Sequence, residues 1–510
     1  MFDRKFTEIL LIFIGLVCAF LWGKVVAGGN LIYTVGPMVI LVGVYLGFKF
    51  QNYLPAIVFG MMWYGGGSPF IQQVPYAFYA LVACIGIAFL DFLMKRKREA
   101  ILLRDASPLI KIPLLCVGYL VLQYTVITLL KRQGFLPASD YGAAGGMKNM
   151  VKFMAMLMFI LLLFNGKISR SKLHCIPYVA IFIACISTVF DTLNYLNPRS
   201  AFITYYFTTG LNFEVLDVLR GSADSVLRLA SLREFGLYLT LFIISIFVVK
   251  KQRGELKIIP MKYIVLLGAM GLIILIGGFR NYIIRYAVAL VIFFLVYDKK
   301  WAIAGILAGG SLWLGAIGMG RSLDVLPMPI QRVLGSLPGV YKTDVAVSAM
   351  GGLEWRAELR SRFWDNEFWR HPWFGRGQVG DFFVVPESAY ADPFLYFEVT
   401  QLWHSGWVST LDVVGIIGMF VLIIAQLSTL VLSIKLFRQY RALLEGWMVW
   451  CILYFYTANI IFWYNGFFLK QFPMMALSMV GVCLVYDVLL RQKVGAVLES
   501  SATDLVDITA

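Results

Sequence analysis

Three groups of residues in this 510-residue chain could do chemistry. The first is His404, in QLWHSGWVSTLDVVGIIG, where a long polar segment meets an apolar run. A histidine at such a water boundary titrates near neutral pH and can take or give a proton; a lone histidine at a helix start also serves as a cap or a surface residue. The second is residues 354–370, EWRAELRSRFWDNEFWR, which hold Arg356 and Arg360 one helical turn apart. Planar guanidinium forks bind phosphate or carboxylate through two bonds at once. Two like charges at i,i+4 repel by roughly 0.2–0.5 kcal/mol unless an anion sits between them. The plainer alternative is a surface helix with its tryptophans in the interfacial belt of a membrane. The third is Arg280, in GGFRNYIIRYA, with Arg285 about 7 Å deeper by helical rise. Charges inside apolar runs are expensive and need partners. Asp91, Asp191 and Asp412 are the acids so placed, and spacing does not say which arginine each one meets.

The elements that must position these groups are long apolar helices. Runs of membrane-spanning length or near it lie at about 7–27, 31–49, 54–66, 76–94, 109–130, 149–165, 176–195, 235–250, 258–278, 281–297, 301–319, 407–434, 446–466 and 472–490. That is about fourteen crossings at roughly 20 residues each. With the N-terminus inside, Lys95–Arg98, Lys167–Lys172, Lys250, Lys251, Lys299, Lys300, Lys435, Arg438, Arg441 and Arg491 all fall on one side. The positive-inside rule makes that side cytoplasmic and puts both termini there. The expected organisation is transmembrane helices 1–11 over residues 1–319, an external loop over 320–404, helices 12–14 over 405–490, and a cytoplasmic tail over 491–510, loose from Glu499 onward. Within the loop, Trp355, Leu359 and Phe363, continued by Asn366 and Trp369, form a stripe at helical spacing. Glu358 and Arg362 are an i,i+4 pair in the favourable order. His371-Pro372 ends the helix, and Gly375 and Gly377 make a turn.

Composition agrees. The chain is 60% hydrophobic and 14% charged, with mean hydropathy +0.79, far from the soluble norm of about 25% charged. This excludes a soluble enzyme, a disordered chain and a disulfide-rich secreted domain. Runs that stay apolar for twenty residues exclude an outer-membrane barrel, whose strands alternate. The net charge of +15 would indicate nucleic acid in a soluble protein; here cytoplasmic loops carry part of it and no nucleic-acid partner is expected. The basic residues of the two external segments are nearly all arginine: Arg199, Arg220, Arg228 and Arg233, then Arg321, Arg332, Arg356, Arg360, Arg362, Arg370 and Arg376. Any one of them reads equally as a partner of lipid headgroups or local acids. The seven cysteines lie in or beside apolar runs and read as packing residues. With three histidines, His174, His371 and His404, a metal site would need carboxylates, and no clustered set occurs.

Taken together, GFRN at Arg280, RAEL with RHPWFGRG in the loop, and His404 followed by Gly415 and Gly418 resemble the O-antigen ligase and O-antigen polymerase superfamily of bacterial membrane glycosyltransferases. The likeness covers roughly 280–418 and departs from the pattern in lacking the usual serine and glycine around Arg280, and in Ser405 after the histidine. The resemblance implies a fold of the C-type glycosyltransferase class in the bacterial inner membrane, all-helical and polytopic with a large periplasmic loop. It implies an undecaprenyl-pyrophosphate-linked glycan donor, a glycan acceptor, inversion at the transferred sugar, and neither metal nor cofactor. It assigns His404 as the catalytic base, and Arg280 with Arg356, or Arg360 in its place, to the pyrophosphate. Those residue types suit such a transfer, since a pyrophosphate leaving group needs its charge neutralised and an acceptor hydroxyl needs a base near operating pH. Polymerisation of O-antigen or exopolysaccharide repeat units, with a chain-length regulator as a further partner, is the leading expectation. Ligation to lipid A core is the near alternative, and a polysaccharide flippase or other transporter, with a midplane site in broken helices, is the alternative from another class.

Overall fold

The structure is a computed structural model and describes residues 49–61, 76–93, 107–132, 147–196, 230–256, 260–297, 299–335, 337–377, 394, 398, 401, 403–466 and 468–509. Among these residues every regular element is helical. In chain order the α-helices are α1 (Leu54–Gly60), α2 (Tyr76–Leu93), α3 (Pro108–Arg132), α4 (Met147–Phe164), α5 (Ile176–Leu196), α6 (Ala230–Gln252), α7 (Met261–Ile276), α8 (Arg280–Tyr297), α9 (Lys299–Met319), α10 (Met328–Leu334), α11 (Asp344–Arg362), α12 (Gly406–Gln439), α13 (Gly446–Asn465) and α14 (Phe468–Thr509).

Six stretches among the described residues are long and apolar enough to cross a membrane: Pro108–Lys131, Leu173–Leu193, Ser231–Gln252, Gly406–Gln439, Gly446–Tyr464 and Gln471–Gln492. Ala77–Asp91, Asn149–Phe164 and Met261–Ile276 are apolar but shorter. The runs expected at 7–27 and 31–49 lie outside the described residues apart from Lys49, and Leu54–Gly60 of the run at 54–66 is helix among the described residues. The chain is thus a polytopic helical membrane protein. Its tail is helical along the backbone to Thr509 rather than loose, as befits a stretch with one glycine and no proline to stop α14.

The core runs between α13 and α14, which are buried almost all round, with α6, α3 and α12 packed against them. Trp450, Tyr454, Phe462, Met475 and Leu484 are each no more than 1% exposed. The outward faces of the surrounding helices carry bare apolar side chains instead, such as Leu115, Phe182, Val265 and Phe420. In water this much exposed apolar surface would drive aggregation; against lipid it is the satisfied state.

Charge assembles at one end. Arg170, just past α4, pairs with Asp487 of α14, and Arg491 reaches the same carboxylate at 3.0 Å. Lys435 of α12 donates to the Tyr486 hydroxyl at 2.9 Å. Arg170, Lys435 and Arg491, assigned to one side by alternation, therefore share one end of the bundle. The opposite face carries α10 and α11, and is called the loop face below.

Candidate functional site at the loop face

The centre of the loop face is a break in α12. The sequence predicts an uninterrupted span over 407–434, but Gly415 has φ 66° and ψ −170°, and the helix is split there. A break frees backbone groups that lipid cannot satisfy. The HPWFGRG turn supplies them. Ile416 and Ile417 donate their N–H groups to the carbonyls of Pro372 (2.8 Å) and Trp373 (3.1 Å), while Arg376 and Gly377 donate to those of Asp412 (2.8 Å) and Val413 (3.1 Å). The two segments run in opposite directions. The side-chain amide of Gln123 on α3 closes the join, donating to the carbonyls of Val414 at 2.7 Å and Phe374 at 3.2 Å. The glycines of both motifs are explained by this contact. A Cβ on Gly375 (φ 71°) would lie 2.5 Å from the Val413 carbonyl carbon, and one on Gly415 would lie 2.5 Å from the Gly375 nitrogen.

A buried ion pair locks the join. Arg376 donates from Nε and Nη2 to the two Asp412 carboxylate oxygens at 2.5 and 3.2 Å, from Nη1 to Glu367 at 2.7 Å, and from Nη2 to the Glu398 carbonyl at 3.0 Å. Its place in an apolar run offers Asp412 as a partner for Arg280 or Arg285. It meets Arg376 instead, because the turn inserts beside it. The same carboxylate accepts from Gln401 Nε2 at 2.7 Å and Trp403 Nε1 at 2.8 Å. Those two residues flank His404 on its upstream side.

His404 is thereby clamped. Trp403 is wholly buried and Ser405 is 2% exposed, and α12 begins at Gly406, whose Cβ position is occupied by the backbone of Phe462 at the end of α13. His404 itself has φ 50° and Gln401 has φ 57°, in the left-handed region that non-glycine residues occupy at a cost of about 1–2 kcal/mol. Such strain persists where surrounding structure dictates it, and it gathers at functional sites. The imidazole meets the Trp355 ring edge to face, centroids 5.4 Å apart.

Trp355 belongs to α11, and the next residue is Arg356. The expected helix over 354–370 begins earlier, at Asp344, and is regular only to Arg362; a π-turn (Phe363–Glu367) and a 3₁₀ turn (Phe368–Arg370) follow. The wider π-turn advances the inward position by one residue. Leu359, Phe363 and Phe368 are buried, and Trp369 is 73% exposed, so the stripe continues through Phe368 rather than Trp369. Leu359, Phe363 and Phe368 pack with Trp403, Val408 and Leu411 in one apolar cluster. This cluster holds α11 against the first half of α12. Glu358 and Arg362 pair as expected, at 3.4 Å on the surface.

On α11 the guanidinium of Arg356 lies in the field of Arg280, Arg332 and Arg360 and of the Tyr464 phenol at the end of α13. Burial first, and then the three guanidiniums, lower its pKa against the opposing effect of Tyr464. It stays charged at neutral pH; burial is the main cause of the shift, and the neighbouring guanidiniums add a smaller like-charge cost that an anion would relieve. Arg280, distant in sequence, and Arg360, one turn along α11, thus lie within electrostatic reach of Arg356, and His404 stands beside the turn of α11 that carries Arg356. Arg332 and Tyr464 are additions to the expected set. In the sequence Arg332 is one of many external arginines, and Tyr464 has no signal beyond its place at a helix end.

Arg285 lies elsewhere. It is completely buried in α8, its guanidinium carbon 5.0 Å from the Tyr282 ring, and Glu234 of α6 lies within its electrostatic reach. Tyr282 donates to Glu234 at 3.1 Å, and Arg233 stacks over Phe279 at 3.5 Å, tying the start of α6 to the residue before Arg280. Asp191 accepts from the Ser231 N–H at 2.7 Å, capping α6 from a neighbouring helix. His371 donates its backbone N–H to the Phe368 carbonyl at 3.2 Å, ending the 3₁₀ turn. Arg199, Arg220 and Arg228 lie outside the described residues. No protein-family model matches the chain, and no characterised protein matches it in sequence.

Proposed function

We propose that this chain is a bacterial inner-membrane glycosyltransferase working at the loop face. It takes a glycan from an undecaprenyl-pyrophosphate carrier and joins it to a hydroxyl of an acceptor glycan, polymerising repeat units. In this reading the loop face is periplasmic and both termini are cytoplasmic. One observation carries the reading: Arg356, within electrostatic reach of Arg280, Arg332 and Arg360, sits on the helix that also packs against a strained histidine.

The chemistry follows from these groups. His404 takes the proton of the acceptor hydroxyl. The oxygen attacks the anomeric carbon on the face opposite the pyrophosphate, the new C–O bond forms, and the bond to the pyrophosphate breaks with inversion. The leaving carrier pyrophosphate keeps the electron pair, and Arg280, Arg356 and Arg360 hold the charge that develops on it. The reaction is metal-independent because guanidiniums meet this demand. The break in α12 is also a feature of transporters, whose half-helix ends line an open midplane site. Here the freed groups are bonded by Pro372–Gly377, which favours a fixed site over a moving gate.

Purified protein given lipid-linked repeat units tests the reading. A ladder of glycan lengths on the carrier supports polymerisation, and transfer only to added lipopolysaccharide core supports ligation. If neither product forms from authentic donor while the donor crosses vesicle membranes, the chain is a transporter and the reading fails.

A further inference from the structure

The HPWFGRG turn has two faces. Arg376 and Gly377 are buried against α12 and α3, whereas Trp373 and Phe374 are 60% and 54% exposed, and Trp369 just before the turn is 73% exposed. The depth of these aromatic rings can be read from α3. The Phe374 carbonyl accepts from Gln123, eight residues inward of Lys131, where the apolar stretch Pro108–Lys131 ends. Eight residues of helix are about 12 Å. That stretch has 24 residues, about 36 Å, against a hydrocarbon core of roughly 30 Å, so each end projects about 3 Å beyond the core. The backbone at Phe374 then lies about 9 Å inside the hydrocarbon boundary.

Irregular backbone survives at that depth only where protein satisfies it. Here four backbone bonds to the broken helix and the Gln123 amide do so. Side chains at the same depth that protein does not cover have lipid as their surroundings. Aromatic rings are favoured at this boundary, and Arg370, with its side chain 67% exposed, suits the phosphates above it.

From this geometry we infer that residues 369–374 form a re-entrant wedge in the bilayer leaflet on the loop face, with Trp373 and Phe374 among acyl chains and Trp369 nearer the headgroups. The partner is bilayer lipid. The external loop is therefore docked in the membrane as well as above it, whatever substrate the chain handles.

Tryptophan quenching in reconstituted vesicles tests this. The full chain is placed in phosphatidylethanolamine–phosphatidylglycerol vesicles with and without brominated acyl chains. Emission is compared between the parent, Trp373→Phe and Phe374→Trp, the first losing and the second gaining one reporter in the turn. The expected result is that the Trp373 component, taken by difference, is quenched by brominated chains more than the chain average and is untouched by external iodide. The reporter gained in Phe374→Trp should behave likewise. Quenching by iodide would put the turn in water and overturn the inference. Quenching by neither agent would mean that protein, such as a second copy, covers the rings, and would overturn it equally. The conservative exchange keeps an aromatic ring at each position, and the gained reporter decides the matter if the lost one alters folding.

Discussion

Replacing Asp412 by Asn tests whether the ion pair is what seats the turn in the broken helix. The side chain keeps its size but loses its charge and one acceptor. In the native site its two oxygens take two bonds from Arg376 and one each from Gln401 and Trp403. Removing one partner of a buried pair costs about 3–5 kcal/mol. Glu367 remains on Arg376 Nη1 at 2.7 Å, so the guanidinium is not abandoned and the lower figure, about 3 kcal/mol, applies. At about 1.4 kcal/mol per tenfold, the undocked turn becomes roughly 10²-fold more populated. Hydrogen exchange followed by mass spectrometry reads this directly through the amides of Arg376, Gly377, Ile416 and Ile417, which form the join. They should exchange about 10²-fold faster, while the core of α14 keeps its protection. Glycan transfer should fall as well, because Gln401 and Trp403 lose their anchor beside His404. If the four amides exchange in the variant as they do in the parent, the backbone ladder alone holds the turn and the argument from the ion pair is wrong.

His404→Ala should lower glycan transfer by about 10²–10⁴-fold, the usual cost of losing a general base, with folding and donor binding kept; His371→Ala should cost less, and near-parental activity of the His404 variant would remove it from the chemistry. Arg280→Lys and Arg356→Lys should each weaken transfer, because charge survives but the two-bond fork does not; a fully active lysine variant would take that residue off the pyrophosphate. Burial first, and then Lys131 and Arg376, hold His371 below the ordinary histidine value, so the unfolded chain binds its proton more readily. Its contribution to stability is whole above about pH 6.5, the unfolded value, and is lost as pH falls through the lower folded value. Thermal unfolding of the parent should therefore decline below about pH 6.5 more steeply than that of His371→Gln, and coincident pH profiles would refute this.

Much of the packing around the candidate site is legible in the residues, and what is not has physical causes. The amphipathic stripe places Leu359 and Phe363 inward, where they lie, because helical period governs burial over regular turns. It fails at Trp369 because a π-turn changes that period, and a period-based reading has no term for one. Asp412 stands out as an acid in an apolar run and Arg376 as an external arginine, yet their union is invisible in the sequence. It depends on a turn entering a helix break, and the only local sign of the break is Gly415, one of 46 glycines. Arg332 joins the arginine group for the same reason: only tertiary packing decides which surface arginines meet.

The Gln401 amide donates to the Gly377 carbonyl at 2.7 Å, so the chain leaves the site at Gly377 and returns to it at almost the same point. This has a consequence for which insertions and deletions such a protein can accept. One residue added between Pro372 and Gly377, or between Asp412 and Ile417, would shift every bond of the join out of register at once. Homologous chains should therefore keep the lengths of both of these segments unchanged.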